Sequence, residues 1–482
     1  MALPAGFSKK LQHCLPAGQV LLNPEDCKPF EADGLLMFRC LPAAVALPSN
    51  EAEVIRVVNC CREAGVPLVT RGAGTGLSGG ALPHADGVLL VLSRLNRILS
   101  IDPLARVARV QPGVRNLAVS EATYPFGLFY APDPSSQLAC SIGGNVSENS
   151  GGVRCLKYGL TVHCVIKVRV VTADGEAVEI DNTEQGFDLL ALLHGSEGLL
   201  AVVTEVWLRL SPLPETTCTV LAGFPSVKAA GDAVAGIISS GITPSGLEMM
   251  DQLATRAAED FAAAGYPTDC AALLIAETDG RREDAERDME NLRKVLTTHG
   301  ATPIRAARDE TERQLFWKGR KSAFPAMGSI RPNYYCMDGT IPRKRLGDVL
   351  NNIAALSTQY GLPCANVFHA GDGNLHPLIM YDDDVSGEAE KACQFGTDIM
   401  NLCLDVGGTI TGEHGVGVEK IDGMCTQFTP PELQTFHDIK HAFDPLAFLN
   451  PGKTVPTLNR CAEFGHMHVK SGEEKFSTLP RF

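Results

Sequence analysis

Residues 71–80 read RGAGTGLSGG, five glycines in the nine positions from Gly72 to Gly80, entered from the apolar run 66–70 and left without a helix-forming sequence. Glycine has no Cβ, so such a stretch lets the main chain approach a phosphate and point several amide N–H groups at it. A backbone cradle for the pyrophosphate of a cofactor is therefore expected here. The string GTGLSG, residues 74–79, satisfies the G-x-G-x-x-G pattern, but a dinucleotide-binding Rossmann unit needs a helix opening at the loop and an acidic residue about 20 positions on. Pro83, His84, Asp86 and Gly87 follow instead, then Ser93, Arg94, Asn96 and Arg97. No Lys-Ser/Thr pair makes a Walker loop.

Working outward, 43–47 is a short apolar run. Asn50 and Glu53 sit at N-cap and capping-partner positions, and Val54, Ile55, Val58 and Cys61 follow at helical spacing up to Gly65. Strand, helix and strand thus lead into the glycine loop. Short strands are expected at 87–92, 106–111, 165–172, 177–180 and 200–210, with a hairpin turn at Asp174-Gly175. Ser211, Pro212 and Pro214 mark a boundary. Beyond it, strands at 219–224, 271–278, 334–341 and 366–369 alternate with helices at 226–240, 281–299, 344–360 and 385–406. This reads as an α+β layer on an antiparallel sheet. The expected organisation is a lead-in at 1–40, a first domain at 41–214, a second at 215–443, and a segment 444–482 that returns to the first domain through DPLAFLNPGK.

A chain of 482 residues is too long for one core. Its net charge of −14, with no basic stripe, excludes nucleic acid as a partner. No run approaches the ~20 apolar residues of a membrane span, and the first residues lack the apolar core of a signal peptide, so a cytoplasmic protein is expected. The sixteen cysteines contain no CxxC. Reduced thiols are expected, and no iron–sulfur cluster on this chain.

Three further stretches carry chemistry. The second glycine-rich region, 131–159, offers Ser135, Ser136, Ser141, Asn145 and Asn149 as polar contacts beside Gly143, Gly144, Gly151 and Gly152, which fits one long cofactor spanning both loops. HAGDGNLH places His369 and His376 on either side of an Asp372-Gly373 turn, and GGTITGEHGVG carries Glu413 and His414. Two imidazoles and a carboxylate are an ordinary ligand set for Zn²⁺ or another divalent transition metal with one position open; packing histidines are the competing reading. HExxH spacing is absent. Arg320, in FWKGRKSAF, is either a fork for a substrate carboxylate or a solvated arginine between Lys318 and Lys321.

Taken together, RGAGTGLSGG, PDPSSQ, SIGGNVSENSGG, KYG, GSEGLLAVVTEVWLRL, HAGDGNLH and GEHGVG stand in the order found in the vanillyl-alcohol-oxidase type FAD family, and the chain from about Leu41 to Lys453 resembles its D-2-hydroxy-acid dehydrogenase branch, which includes flavin subunits of the glycolate oxidase type. The resemblance implies an α+β fold: a two-part FAD-binding domain of the p-cresol methylhydroxylase (PCMH) type, then a cap domain with an antiparallel sheet. It implies FAD contacts from Arg71, Gly72, Ala73, Gly74, Thr75, Gly76, Pro132, Ser136, Gly143, Gly144, Asn145, Gly151, Val202 and Asn450. Thr75 stands where some relatives carry a covalently linked histidine, so the FAD is expected to be noncovalent. His369, His376 and Glu413 are implied as metal ligands, His414 as the base, and Arg320 and Asn374 as substrate contacts, Arg320 clamping the carboxylate.

Relatives acting on 2-hydroxyglutarate have a Lys near the position of Cys336 and a Thr at that of Phe324. Their replacement here favours a small monocarboxylate, glycolate or D-lactate. The expected reaction is hydride transfer from C2 to flavin N5, with electrons leaving to a second flavin-fold subunit and an iron–sulfur subunit, or to quinone. Contact with the inner membrane would then be peripheral and through partners. A D-2-hydroxy-acid dehydrogenase acting alone is the alternative, and a metal-dependent hydrolase the distant one.

Overall fold

The computed structural model describes residues 3–183 and 186–457. The part of the expected C-terminal segment beyond residue 457 lies outside the described residues.

The first domain holds two sheets. In the smaller, Val20–Leu21, Ala44–Ala46, Val88–Val91 and Leu68–Arg71 lie side by side in that order, with Val88–Val91 parallel to both Ala44–Ala46 and Leu68–Arg71. The helix Glu51–Ala64 joins Ala44–Ala46 to Leu68–Arg71, the two strands that flank Val88–Val91. The Asn50 side chain accepts from the Glu53 N–H, and Glu53 Oε2 accepts from the Ser49 N–H at 2.6 Å, so the expected capping pair starts this helix. Val54, Val57, Val58 and Cys61 on its inner face pack against the sheet. The larger sheet is antiparallel, in the order Ile98–Asp102, Val107–Val110, Val202–Arg209, Val165–Val171 and Ala177–Asp181.

The second domain is built on a nine-stranded antiparallel sheet whose inner strands are Thr216–Phe224, Ala272–Gly280, Gly246–Asp251 and Cys364–His369. Helices Val227–Ser239, Arg282–Thr298, Leu346–Tyr360 and Glu388–Asp405 cover one face and bury the largest apolar cluster of the described residues. Gln252–Ala262 and Glu310–Lys321 pack on the other. The single strand expected at 334–341 is broken: Asn333–Cys336 and Gly339–Thr340 pair with different partners, and the break presents Asp338 inward, fully buried.

Two segments tie the domains together. After the helix Pro430–Phe443 the chain returns to the first sheet, where the Leu68 N–H donates to Phe448 O and the Asn450 N–H to Leu68 O, both at 2.8 Å. Before the first sheet, residues 30–38 cross the back of the glycine loop. Arg71 donates to Ala32 O at 2.6 Å, and Gly34 lies so close to the loop that a Cβ there would sit 2.7 Å from Gly76 O. Leu35 belongs to the core of the second domain, with Met37 and Phe38 packed against it.

Fourteen cysteines are free thiols, as reduced chemistry predicts.

Candidate active site

At the seam of the two domains lies a cavity of about 350 Å³. One wall is the glycine loop, Gly72 to Leu77, and the opposite wall comes from the second domain through Lys321, Phe324, His376, Glu413 and His414. Gly143, Gly144 and Asn145 face it from the helix Ile142–Glu148, whose N-cap Ser141 accepts from the Gly144 N–H. Gly72 and Ala73 continue into a second cleft lined by Ser93, Asn96 and Val114, so the glycine loop runs along a groove long enough for an extended cofactor. Gly72 has no room for a side chain: a Cβ there would lie 2.2 Å from Ser141 Oγ. An open backbone with its amides turned to a cavity is what a pyrophosphate requires, and the residues fit FAD.

Ser136 is also on the wall. Other residues expected at the cofactor sit behind it. Val202 points into the core while its neighbours Ala201 and Val203 face the cavity, as the two-residue period of a strand dictates. Asn450 donates to Gly80 O and Glu197 O, bracing the loop from behind. Pro132 O accepts from Asn116, and Arg71 is turned away toward Phe30 and Ala32. The Gly151 N–H is committed to Glu413 Oε2 at 2.9 Å, a bond that crosses the seam.

The second domain's contribution converges on Glu413. His369 Nε2 and His376 Nε2 each lie 3.2 Å from Glu413 Oε1, although the two histidines come from different strand ends around the Asp372 turn. The three ligand atoms lie within 4.8 Å of one another. Behind His369, Glu248 Oε1 is 2.7 Å from Nδ1. Burial would raise both Glu248 and Glu413, but the facing histidines, with Arg320 for Glu248, hold both carboxylates below their ordinary range; the two carboxylates in turn hold His369 well above its own despite burial. Two buried carboxylates around two imidazoles demand positive charge at their centre, and a carboxylate holding the far nitrogen of a ligating histidine is the usual support of a divalent metal. The donor set therefore fits such an ion.

Asp338 shapes the loop that carries Glu413. Its carboxylate accepts from the N–H groups of Gly412, Glu413 and His414, from Thr411 Oγ1, and from the buried Lys420 ammonium at 3.1 Å. Burial alone would raise its pKa, but Lys420 keeps it below the usual carboxylate range. His414 lies on the cavity wall, its ring stacked on His376 at 4.9 Å and 8°. Burial pushes its pKa down to about 4 and its Nδ1 has no hydrogen-bond partner, so it is a neutral base in waiting.

Arg320 is not on the cavity wall. It is 1% exposed, and its guanidinium lies 2.6 Å from Glu248 Oε2. The helix Glu310–Lys321 turns Arg320 inward and leaves Lys321 at the cavity, so Arg320 is not a solvated arginine. Asn374, also expected at the substrate, is buried against Gly412. Glu248, Asp338 and Lys420 were not singled out by the sequence. Their signal is weak but present: Glu248 is a carboxylate amid the apolar residues of Gly246–Asp251, and Asp338 breaks an otherwise apolar strand.

Among the described residues no helix is long and apolar enough to cross a membrane. Residues 42–181 match the FAD binding domain family model and residues 213–454 the model for the C-terminal domain of FAD linked oxidases. Similar proteins include the glycolate oxidase subunit GlcD of Escherichia coli K12, 56% identical with 98% of this chain and 95% of that one covered. GlcD of Bacillus subtilis is 39% identical, with 88% and 91% covered. A D-lactate dehydrogenase of Anaerostipes hadrus is 30% identical, with 90% and 94% covered. Among solved structures, p-cresol methylhydroxylase superposes with a TM-score of 0.79 at 17% identity, covering 95% of this chain and 98% of that one, which is a likeness of fold. On this geometry and these matches, the chain belongs to the FAD-linked oxidase family, with an FAD-binding domain of the p-cresol methylhydroxylase fold joined to a cap domain that carries a His-His-Glu cluster.

Proposed function

We propose that the protein oxidises a small 2-hydroxy monocarboxylate, glycolate first and D-lactate second, to the 2-oxo acid. The observation that carries this reading is the convergence of His369, His376 and Glu413 on one point of a cavity whose facing wall is the glycine loop. When bound, noncovalent FAD supplies the two-electron acceptor, and a divalent metal such as Zn²⁺ held by His369, His376 and Glu413 supplies Lewis acidity toward the 2-hydroxyl. His414 takes the hydroxyl proton; it is neutral at physiological pH and faces the cavity. Asp338 keeps its backbone in place and Glu248 keeps His369 oriented. Phe324 stands on the cavity wall edge-on to His376 at 6.3 Å and Cys336 is buried, so neither of these two positions supplies a cation for a second carboxylate. Glycolate and D-lactate both fit these limits, and relatives bear the names of enzymes for each.

Because the Escherichia coli and Bacillus relatives are named as subunits, we infer that electrons leave to companion subunits, a second flavin-fold chain and an iron–sulfur chain, and that membrane contact, if made, runs through them. Anaerobic mixing of the FAD-loaded protein with glycolate, D-lactate and D-2-hydroxyglutarate tests the substrate reading. Glycolate and D-lactate are expected to bleach the flavin and 2-hydroxyglutarate to leave it oxidised. Failure of every 2-hydroxy acid to bleach it would overturn the proposal.

A further inference from the structure

One ring of the His-His-Glu cluster has a second nitrogen to spare. His376 turns Nε2 to Glu413, while its Nδ1 is buried with no hydrogen-bond partner, 3.9 Å from Asp338 Oδ1 and so beyond bonding reach. The register of the strands Asn333–Cys336 and Pro377–Tyr381 pairs Cys336 with Leu378, which sets Cys336 diagonally across from His376 on one side of the ladder. His414 completes the group. Asp338 accepts from its N–H, its ring stacks on that of His376, and its Nδ1 is also buried and unpartnered. One donor atom each from Cys336, His376 and His414 lies within 4.8 Å of the other two.

A thiol and two free imidazole nitrogens are ligands for a borderline or soft transition-metal ion. Three acidic groups, Asp338, Glu419 and Glu413, act on Cys336 against one ammonium, that of Lys420, so the surroundings favour a cation. The ion has a way in, because His376 and His414 line the cavity. The geometry points to a second, inhibitory metal site, formed by Cys336 Sγ, His376 Nδ1 and His414 Nδ1 and taking a thiophilic divalent ion such as Zn²⁺. Binding exchanges protons for the ion: the Cys336 thiol gives its proton to solvent, and so does the His376 ring when Nε2 already serves the His-His-Glu site. Metal on His414 Nδ1 leaves that ring with its hydrogen on Nε2, so it no longer accepts a proton. The inhibition rests on the 2-hydroxy-acid reading above, in which His414 is the base; occupancy of the site does not.

The test compares the FAD-loaded full chain with Cys336→Ala and Cys336→Ser, each loaded with one equivalent of Zn²⁺ and then with excess. Elemental analysis after equilibrium dialysis against excess is expected to give two zinc ions per wild-type chain and one in either variant. X-ray absorption of the two-zinc form is expected to show a sulfur neighbour at about 2.3 Å that both variants lack. Excess Zn²⁺ is expected to slow anaerobic bleaching of the flavin by glycolate at least ~100-fold in the wild type and to leave each variant near its own one-zinc rate. One zinc per wild-type chain, no sulfur neighbour, or a sulfur neighbour that survives in the variants would overturn the site. Equal inhibition of wild type and variants would overturn its role. If glycolate fails to bleach even the one-zinc protein, the substrate reading falls, and the zinc count and sulfur neighbour still decide the site.

Discussion

The two glycine-framed loops that face each other across the cavity are built on opposite principles. Residues 71–80 form a site chiefly from main chain, packed so closely at Gly72 that a Cβ there would collide with Ser141. Residues 411–417 form a site from buried charged side chains, Glu413 facing two histidines and the backbone held by Asp338 and Lys420, with a divalent ion needed to complete the charge balance. A backbone site fails by steric filling. A charge-matched site fails by loss of one partner, because the rest is left buried and uncompensated.

That contrast predicts a double dissociation. His376→Ala removes one of the three converging ligand atoms, and metal content by elemental analysis is expected to fall to near zero with kcat/KM down by at least ~10³-fold, while the flavin spectrum stays that of bound FAD. Loss of both metal and flavin would mean the loops are one cooperative unit. Gly72→Ala should do the reverse: FAD affinity lower by roughly 10- to 100-fold, from a clash worth about 1–3 kcal/mol, with metal retained. Equilibrium dialysis of FAD together with metal analysis of the apoprotein checks this, and full FAD occupancy would show that the cradle has slack.

The smallest expected effect sharpens the charge side of the comparison. Glu419 lies fully buried next to Lys420, and burial pushes its carboxyl up to about 7 from an ordinary 4.5. Between those two values the unfolded chain gives up a proton that the folded protein keeps, so stability declines as pH rises from about 4.5 to about 7. Glu419→Gln has no proton to lose and is expected to be more stable than the wild type by about 2 kcal/mol at pH 8 and by much less at pH 5. Urea melts at the two pH values read the difference. Equal pH dependence in the two proteins would remove Glu419 from the buried network.

The same contrast explains what could be read in advance. Strand, helix and strand before the glycine loop follow from Asn50, Glu53 and the apolar spacing between them, all local in sequence, and the loop itself is conspicuous because glycine is its whole chemistry. His369, His376 and Glu413 stand in glycine-framed turns and could be picked out. Their supports could not: Glu248 lies 121 positions from His369 and Asp338 lies 76 from His414. Each meets its partner only because the sheet of the second domain sets them face to face. Arg320 and Lys321 show the finest limit, since adjacent basic residues take opposite fates according to helix phase, and the start and end of Glu310–Lys321 decide it. In the strand Val202–Arg209 the two-residue period likewise turns the Val202 side chain to the core and that of Val203 to the cavity.

The crossing of residues 30–38 behind the cofactor loop gives the amino-terminal arm a role beyond packing. It is fastened at one end to Arg71 and at the other to the core of the cap through Leu35, so it works as a hasp across the joint. Clipping it would leave each lobe its own core and remove one of the two ties between them, so that the joint would rest on the carboxy-terminal return and on the bonds across the seam.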